Sequence, residues 1–177
     1  MRKLQMEELG RLSPEAFKKT EKAPIVLVLD NVRSALNVGS AFRTADAFAL
    51  QHIYLCGITA QPPHREILKT ALGATETMEW THLANVTHLL RQLKREGYTI
   101  LAIEQTDESM PLQDYKLEPG AKYALVFGNE VGGIDDEALH QADHAIEIPQ
   151  FGAKHSINIA VCIGIVTWEL FRQWRFG

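Results

Sequence analysis

Cysteine is scarce in this chain: Cys56 and Cys162 are the only two among 177 residues. They are too few and too far apart for a disulfide framework or a four-ligand zinc site. Both sit in apolar runs, as expected of a reduced, cytoplasmic protein. Long apolar stretches are also lacking. The most apolar segment, residues 157–171, is interrupted by Asn158, Thr167 and Glu169. A membrane span needs about 20 mostly apolar residues, so this segment reads as a core helix and no membrane partner is expected. The first residues are basic but contain no apolar core for a signal peptide. Positive charge is not in excess either, with 18 Lys and Arg against 22 Asp and Glu and a net charge of −4. That argues against coating nucleic acid by bulk charge, while leaving room for a local basic site. No GxGxxG opens a helix after the first strand, no GxxxxGK[ST] occurs, and no GxSxG elbow is present. His140 and His144 have zinc-like spacing, but no other ligands complete a set of four, and no metal is expected.

What is present is a globular composition, 46% hydrophobic and 23% charged. Residues 1–22 read as a charged N-terminal helical arm, with Ser13-Pro14-Glu15 placing proline at a first helical position. Residues 23–177 read as one domain. Ile25-Val26-Leu27-Val28-Leu29 is a continuous apolar run suited to a strand buried on both faces. In residues 37–49, Val38, Ala41, Phe42, Ala45 and Ala49 form one helical stripe, with Asn37 placed to cap. Strands follow at 52–55, 98–103, 123–127 and 145–148. The spacing predicts helices at 85–96, between Asn85 and Gly97, at 135–140, and from about Ser156 to Trp174. Buried strands alternating with helices predict an α/β fold with a parallel sheet and flanking helices. Trp80, Trp168 and Trp174 are spaced like core or interface anchors.

In such sheets ligands bind beyond the carboxyl ends of strands, which singles out three segments. The first covers residues 29–48, LDNVRSALNVGSAFRTADAF. Arg43 lies roughly opposite the apolar stripe and has two readings: a solvated arginine paired with Asp46 at i+3, or a guanidinium facing a cleft and clamping a phosphate. The second is VFGNEVGGI, residues 126–134, whose glycines imply a tight turn or close approach to a ligand. Glu130 within it suits a ligand bearing hydroxyls or positive charge rather than phosphate. The third is residues 146–165. There Pro149 and Gly152 break a strand, Lys154 and His155 precede Ser156, a candidate helix cap, and a buried Asn158 would need partners.

Taken together, the segments resemble the motifs of the SpoU (TrmH-type) RNA ribose methyltransferases of the SPOUT superfamily. Asn37, Gly39, Arg43, Thr44 and Ala45 resemble that family's N-x-G-x-x-x-R-T-A pattern. Gly128, Glu130 and Gly133 sit in a stretch resembling its G-x-E-x-x-G turn. Ile148-Pro149 through Ser156-Ile157-Asn158-Ile159-Ala160 resembles its I-P-x-x-G-x-x-x-S-L-N-V-S motif, with Ile, Ile and Ala where Leu, Val and Ser are common. Residues 69–74, KTALGA, resemble a recurring segment between them.

The resemblance implies a C-terminal trefoil knot in the parallel sheet and a homodimer with active sites near the interface. It implies S-adenosylmethionine as cofactor, held by Phe127, Gly128, Asn129, Gly132, Ile148, Pro149, Ile157 and Asn158. The implied reaction is 2′-O-methylation of a ribose in tRNA or rRNA, with Arg43, Asn37, Glu130, Ser156 and Asn158 as the catalytic set. Arginine has a pKa above about 12, so Arg43 is better suited to hold an RNA phosphate and stabilise a forming alkoxide than to act as a base. RNA contact is expected from Arg33, Arg43, His64, Arg65 and Lys154, and from Lys18, Lys19 and Lys22 in the arm. Two alternatives stand beside this reading: a SPOUT enzyme methylating a base, and a non-catalytic RNA-binding or assembly factor.

Overall fold

The computed structural model describes residues 1–154 and 156–177; His155, placed by the sequence next to the third segment, lies outside the described residues. The arm holds a 3-10 turn at Met6–Leu9 and helix α1, Pro14–Lys19, whose first turn is closed by Ser13 Oγ accepting from Ala16 N at 3.2 Å. Seven strands follow: β1 Ala23–Asp30, β2 Leu50–Cys56, β3 Trp80–Leu83, β4 Tyr98–Ile103, β5 Met110–Pro111, β6 Lys122–Phe127 and β7 His144–Glu147. They form one sheet in the order β3-β2-β1-β6-β4-β7-β5, and every pairing is parallel.

The apolar run of β1 explains the layers. Ile25, Leu27 and Leu29 pack into a core on one face, and Val26 and Val28 into a second core on the other. This is the period-2 alternation of strand side chains, here with both faces covered. The first core is closed by α2 (Ala35–Ala47), α3 (Arg65–Ala71), α4 (Ala74–Thr77) and α7 (Ile159–Phe176). The second is closed by α5 (Val86–Arg95) and α6 (Asp136–Leu139). Phe42 of α2 is fully buried and meets Trp80 edge-on at 6.4 Å.

Two expected caps are corrected. Helix α2 begins before Asn37: Ser34 is extended and its Oγ accepts from Asn37 N at 3.3 Å. Helix α7 begins after Ser156: Asn158 holds the cap position, its Oδ1 accepting from Ala160 N at 2.8 Å. In both places the residue with non-helical backbone and a free side-chain acceptor sets the start, and the displaced candidate is released for other work. The closing helix is also less enclosed than its composition suggests. Val161, Ile165 and Trp168 form an exposed stripe along α7, while Ile163, Val166 and Leu170 are buried.

β1 is the point from which the chain winds both ways. It is followed outward by β2 and β3, and on its other side lies β6 rather than a sequence neighbour. The loops after β1 and β6 therefore meet above adjacent carboxyl ends, the place where open α/β sheets hold ligands.

Candidate functional site

The loop after β1 turns sharply at Asn31, whose φ of +54° lies in the left-handed region that asparagine tolerates. Its side chain spans the turn, donating to Asp30 Oδ1 at 2.9 Å and accepting from Ile58 N at 3.1 Å. Asp30 itself is buried, and that burial, with Asp135 nearby, pushes its carboxyl up to about 6.

The loop after β6 is tied back on itself. Asn129 and Gly133 exchange two backbone hydrogen bonds, each 2.9 Å, and Asn129 Oδ1 accepts from Val131 N and Gly132 N. Gly128 is required by this closure, since a Cβ there would overlap the backbone of Gly133 and Ile134. Asn129 Nδ2 also donates to Asn31 O at 2.9 Å, fastening the second segment to the first.

Glu130 completes the join. Its carboxylate accepts from Arg33 N at 2.8 Å, Ser34 N at 3.0 Å and Asn37 Nδ2 at 3.2 Å. It thus sits on the amino end of α2, where unpaired N–H groups and the helix dipole favour an anion. Partial burial pushes this carboxyl up, but the Arg33 and Ser34 amides and then the Asn37 side chain outweigh it, and the net direction is down. The third segment is reached through Asn37, whose Oδ1 accepts from Asn158 Nδ2 at 3.3 Å. Asn158, expected to be buried, is exposed and satisfied by Asn37 and by its own cap.

Beneath these loops lies a cavity of about 510 Å³ at the carboxyl ends of β4, β6 and β7. Its apolar lining includes Ile103, Phe127, Val131, Ile146, Ile148, Ile157 and Ile159. Of the residues the sequence assigned to a cofactor, Phe127, Gly128, Asn129, Ile148, Ile157 and Asn158 line it, and Gly132 and Pro149 do not. Glu130, Ser156 and Asn158 of the expected catalytic set also line it; Asn37 touches two of them from outside. Sequence reasoning missed Glu104, Gln105, Glu147, Gln150 and Cys162, all in the lining. Glu104 and Gln105 could have been found as the positions directly after a strand. Among the described residues, no group of three or more His, Cys, Asp and Glu is arranged to hold a metal ion.

Arg43 stands on the outer face of α2, exposed, with no ion pair among the described residues. The expected Asp46 pairing is absent because Asp46 Oδ1 instead accepts from Thr77 Oγ1 at 2.5 Å. Gly39, four residues before it, explains why that motif carries glycine. A Cβ there would collide with Thr70 Oγ1 and the Ile67 carbonyl, and Thr70 Oγ1 donates to Leu36 O at 2.9 Å across the α2–α3 contact. Arg33, Arg65 and Lys154 are exposed, while His64 caps α3 through Nδ1. Lys22 departs from the expected basic grip, because its ammonium lies 3.0 Å from the centre of the Phe17 ring and donates to Phe17 O.

Arg43, expected in the catalytic set, is not among the residues lining the cavity; α2 meets the cavity at its amino end, through Glu130. A parallel α/β sheet with a glycine-turn cavity at its carboxyl edge defines a ligand-binding α/β domain of the switch-point class. The chain belongs to the SpoU rRNA Methylase family, whose model matches residues 24–168. It is 30% identical over 159 residues to the 23S rRNA (guanosine-2′-O-)-methyltransferase RlmB of Neisseria meningitidis, covering 90% of this chain and 62% of that protein. It is 32% identical over 174 residues to an uncharacterized tRNA/rRNA methyltransferase of Synechocystis, of which it covers 43%. The chain therefore spans less than two thirds of the length of both. Among solved structures it resembles the A. aeolicus TrmH/SpoU tRNA modifying enzyme, with a TM-score of 0.79 and 26% identity over 90% of this chain and 79% of that one. An AdoMet-bound rRNA methyltransferase from Sinorhizobium meliloti gives the same TM-score at 27% identity, over 92% of this chain and 61% of that one.

Proposed function

We propose that this protein is an S-adenosylmethionine-dependent RNA methyltransferase acting on a ribose 2′-hydroxyl of tRNA or rRNA. The carrying observation is the hydrogen-bonded chain Glu130–Asn37–Asn158, which draws all three motif segments around one cavity. The cavity suits the cofactor on its own chemistry. Isoleucines and Phe127 offer apolar walls to a purine, the closed turn at Gly128 lets backbone approach closely, and carboxylates face a ligand that carries a positive sulfur. When bound, S-adenosylmethionine supplies a methyl group already activated on a sulfonium.

The chain's own residues supply position and electrostatics. Phe127, Gly128, Asn129, Ile148, Ile157 and Asn158 would hold the cofactor, and Ser156 and Asn158 lie at its edge to orient the incoming ribose. Arg43 brings a planar guanidinium fork suited to phosphate. Its N–H groups, with no side-chain partner among the described residues, are available to an RNA phosphate and to the oxygen that gains charge as its proton leaves to solvent. Alignment of hydroxyl and methyl then carries much of the rate.

The same reading extends to assembly. The exposed stripe Val161, Ile165 and Trp168 on α7, and Leu36 two turns from Arg43 on α2, give a second copy an apolar face near the arginine. A homodimer through this face would place Arg43 at a shared site. The trefoil knot belongs to this proposal too: β7 lies between β4 and β5, yet α7 packs with α2 on the β1 core, so the chain after β7 must cross back over the sheet. Residues 1–22 form an arm preceding the 23–177 domain, with Lys18 and Lys19 exposed for RNA. No helix among the described residues is long and apolar enough to cross a membrane. The proposed location is the cytoplasm, where free thiols such as Cys56 and Cys162 stay reduced.

The test is transfer of labelled methyl from S-adenosylmethionine to total tRNA and to rRNA, with Arg43→Ala alongside. Label in one pool that disappears in the variant supports the proposal. Cofactor binding without transfer to either pool would favour a non-catalytic RNA-binding role instead.

A further inference from the structure

Glu104 follows β4 directly and is held at the cavity wall. Its Oε2 accepts from Ile134 N at 3.1 Å, and its Oε1 accepts from Gln105 N at 3.0 Å. The turn beyond β6 is cut to fit it: Gly133 has φ +70°, and a Cβ there would strike Glu104 Oε2. An ionised carboxylate offers about four acceptor positions, so two remain after these bonds. Three carboxylates line the cavity, from Glu104, Glu130 and Glu147, and none of the lining residues is Lys or Arg. Glu130 is spent on the amino end of α2, whose N–H groups and dipole offset its charge. Among the described residues Glu104 makes no ion pair, and both its partners are neutral amides. Its charge is felt across the cavity at Cys162, whose thiol is pushed up to about 11, chiefly by burial and then by Glu104.

We propose that Glu104 is a specificity-determining residue that makes this cavity prefer the cationic methyl donor over its neutral demethylated product. The inference rests on the methyltransferase reading above. Methyl transfer would break the sulfur–carbon bond, leaving its electron pair on sulfur, and form a carbon–oxygen bond at the ribose hydroxyl, whose proton passes to solvent; a sulfonium thereby becomes an uncharged thioether. The carboxylate then loses the charge it was attracting, and the spent cofactor is released in favour of a fresh one. A fixed charge in a site partly shielded from water is felt more strongly than on an open surface.

Calorimetric titration with S-adenosylmethionine and with S-adenosylhomocysteine tests this on the wild type, Glu104→Gln and Glu104→Asp. The wild type should bind the donor more tightly. Glu104→Gln should lose about tenfold in donor affinity, which corresponds to about 1.4 kcal/mol, with product affinity changed by less than about threefold. Glu104→Asp keeps the charge and should restore most of the preference. Equal losses for both ligands in Glu104→Gln would show that Glu104 only holds the turn or meets a group common to both, and would overturn the proposal, as would an unchanged ratio. A wild type that binds neither ligand would instead bring down the cofactor reading of the whole cavity, and this inference with it.

Discussion

Asn37 Nδ2 donates to Glu130 Oε1 at 3.2 Å across 93 residues of sequence, while its Oδ1 accepts from Asn158. One amide side chain thus joins the start of α2 to the turn after β6 and to the cap of α7. Because Ser34 takes over the cap of α2, Asn37 is free to make this connection. Removing Glu130 should therefore be felt in two places. Glu130→Gln should cost about 1 kcal/mol of stability, the usual value of a helix cap at an exposed position. It should also lower methyl transfer, because α2 carries Arg43. The stability it supplies is present at neutral pH and lost as pH falls through its lowered native pKa. Urea midpoints of variant and wild type at pH 7 and in acid check this; an unchanged midpoint at pH 7 would contradict it.

Neighbouring glycines of the β6 turn should behave differently. Gly128→Ala places a Cβ against the Gly133 backbone, whereas the Cβ of Gly132→Ala meets open space. Gly128→Ala should weaken S-adenosylmethionine binding at least tenfold and cost about 1–3 kcal/mol. Gly132→Ala should retain binding within about threefold. Titration of both variants decides whether the turn acts through its closure or through a contact at Gly132.

The buried carboxyl of Asp30 predicts a pH effect of opposite sign to that of Glu130. Its native value of about 6 lies above the ordinary 3.8, so the folded chain holds this proton more tightly than the unfolded one. Stability is then lost as pH rises from about 4 to 6 and stays lower beyond. Asp30→Asn keeps an oxygen for Asn31 Nδ2 and removes the charge. It should be more stable than wild type by about 2–3 kcal/mol at pH 7.5, with the gap closing near pH 4. Thermal melts at both pH values would reveal a constant gap, or none, if this account of Asp30 is wrong.

Thr167 of α7 is fully buried, and its Oγ1 has no hydrogen-bond partner among the described residues. A lone buried hydroxyl is a cost. Thr167→Val, nearly the same shape, should raise stability by about 1 kcal/mol, or about 2–4 °C in melting temperature. A lower melting temperature would mean that the hydroxyl has a partner.

Much of this fold could be read directly from residue patterns. The run 25–29 is a strand buried on both faces, and Asn85 and Gly97 bracket α5 as their chemistry predicts. What escaped was short or half-buried. The edge strand β3 carries Thr81 and His82 and has no apolar alternation, β5 has two residues, and α3 ends at Leu72 in a left-handed conformation. The motif residues were legible as types, but not in their division of labour. Ser156 and Asn158 both line the cavity as expected, but the cap expected of Ser156 is made by Asn158, because capping depends on backbone angles that composition does not display. Glu104 escaped notice because a single glutamate after a strand carries no pattern of its own.

The most direct test of the central claim is where the methyl group goes. RNA methylated by the protein would be cut with alkali and resolved as a ladder. Alkaline cleavage needs a free 2′-hydroxyl, so a ribose methylated there leaves one missing rung, absent when Arg43→Ala is used. A complete ladder from RNA that has nevertheless gained labelled methyl would place the modification on a base and contradict the account.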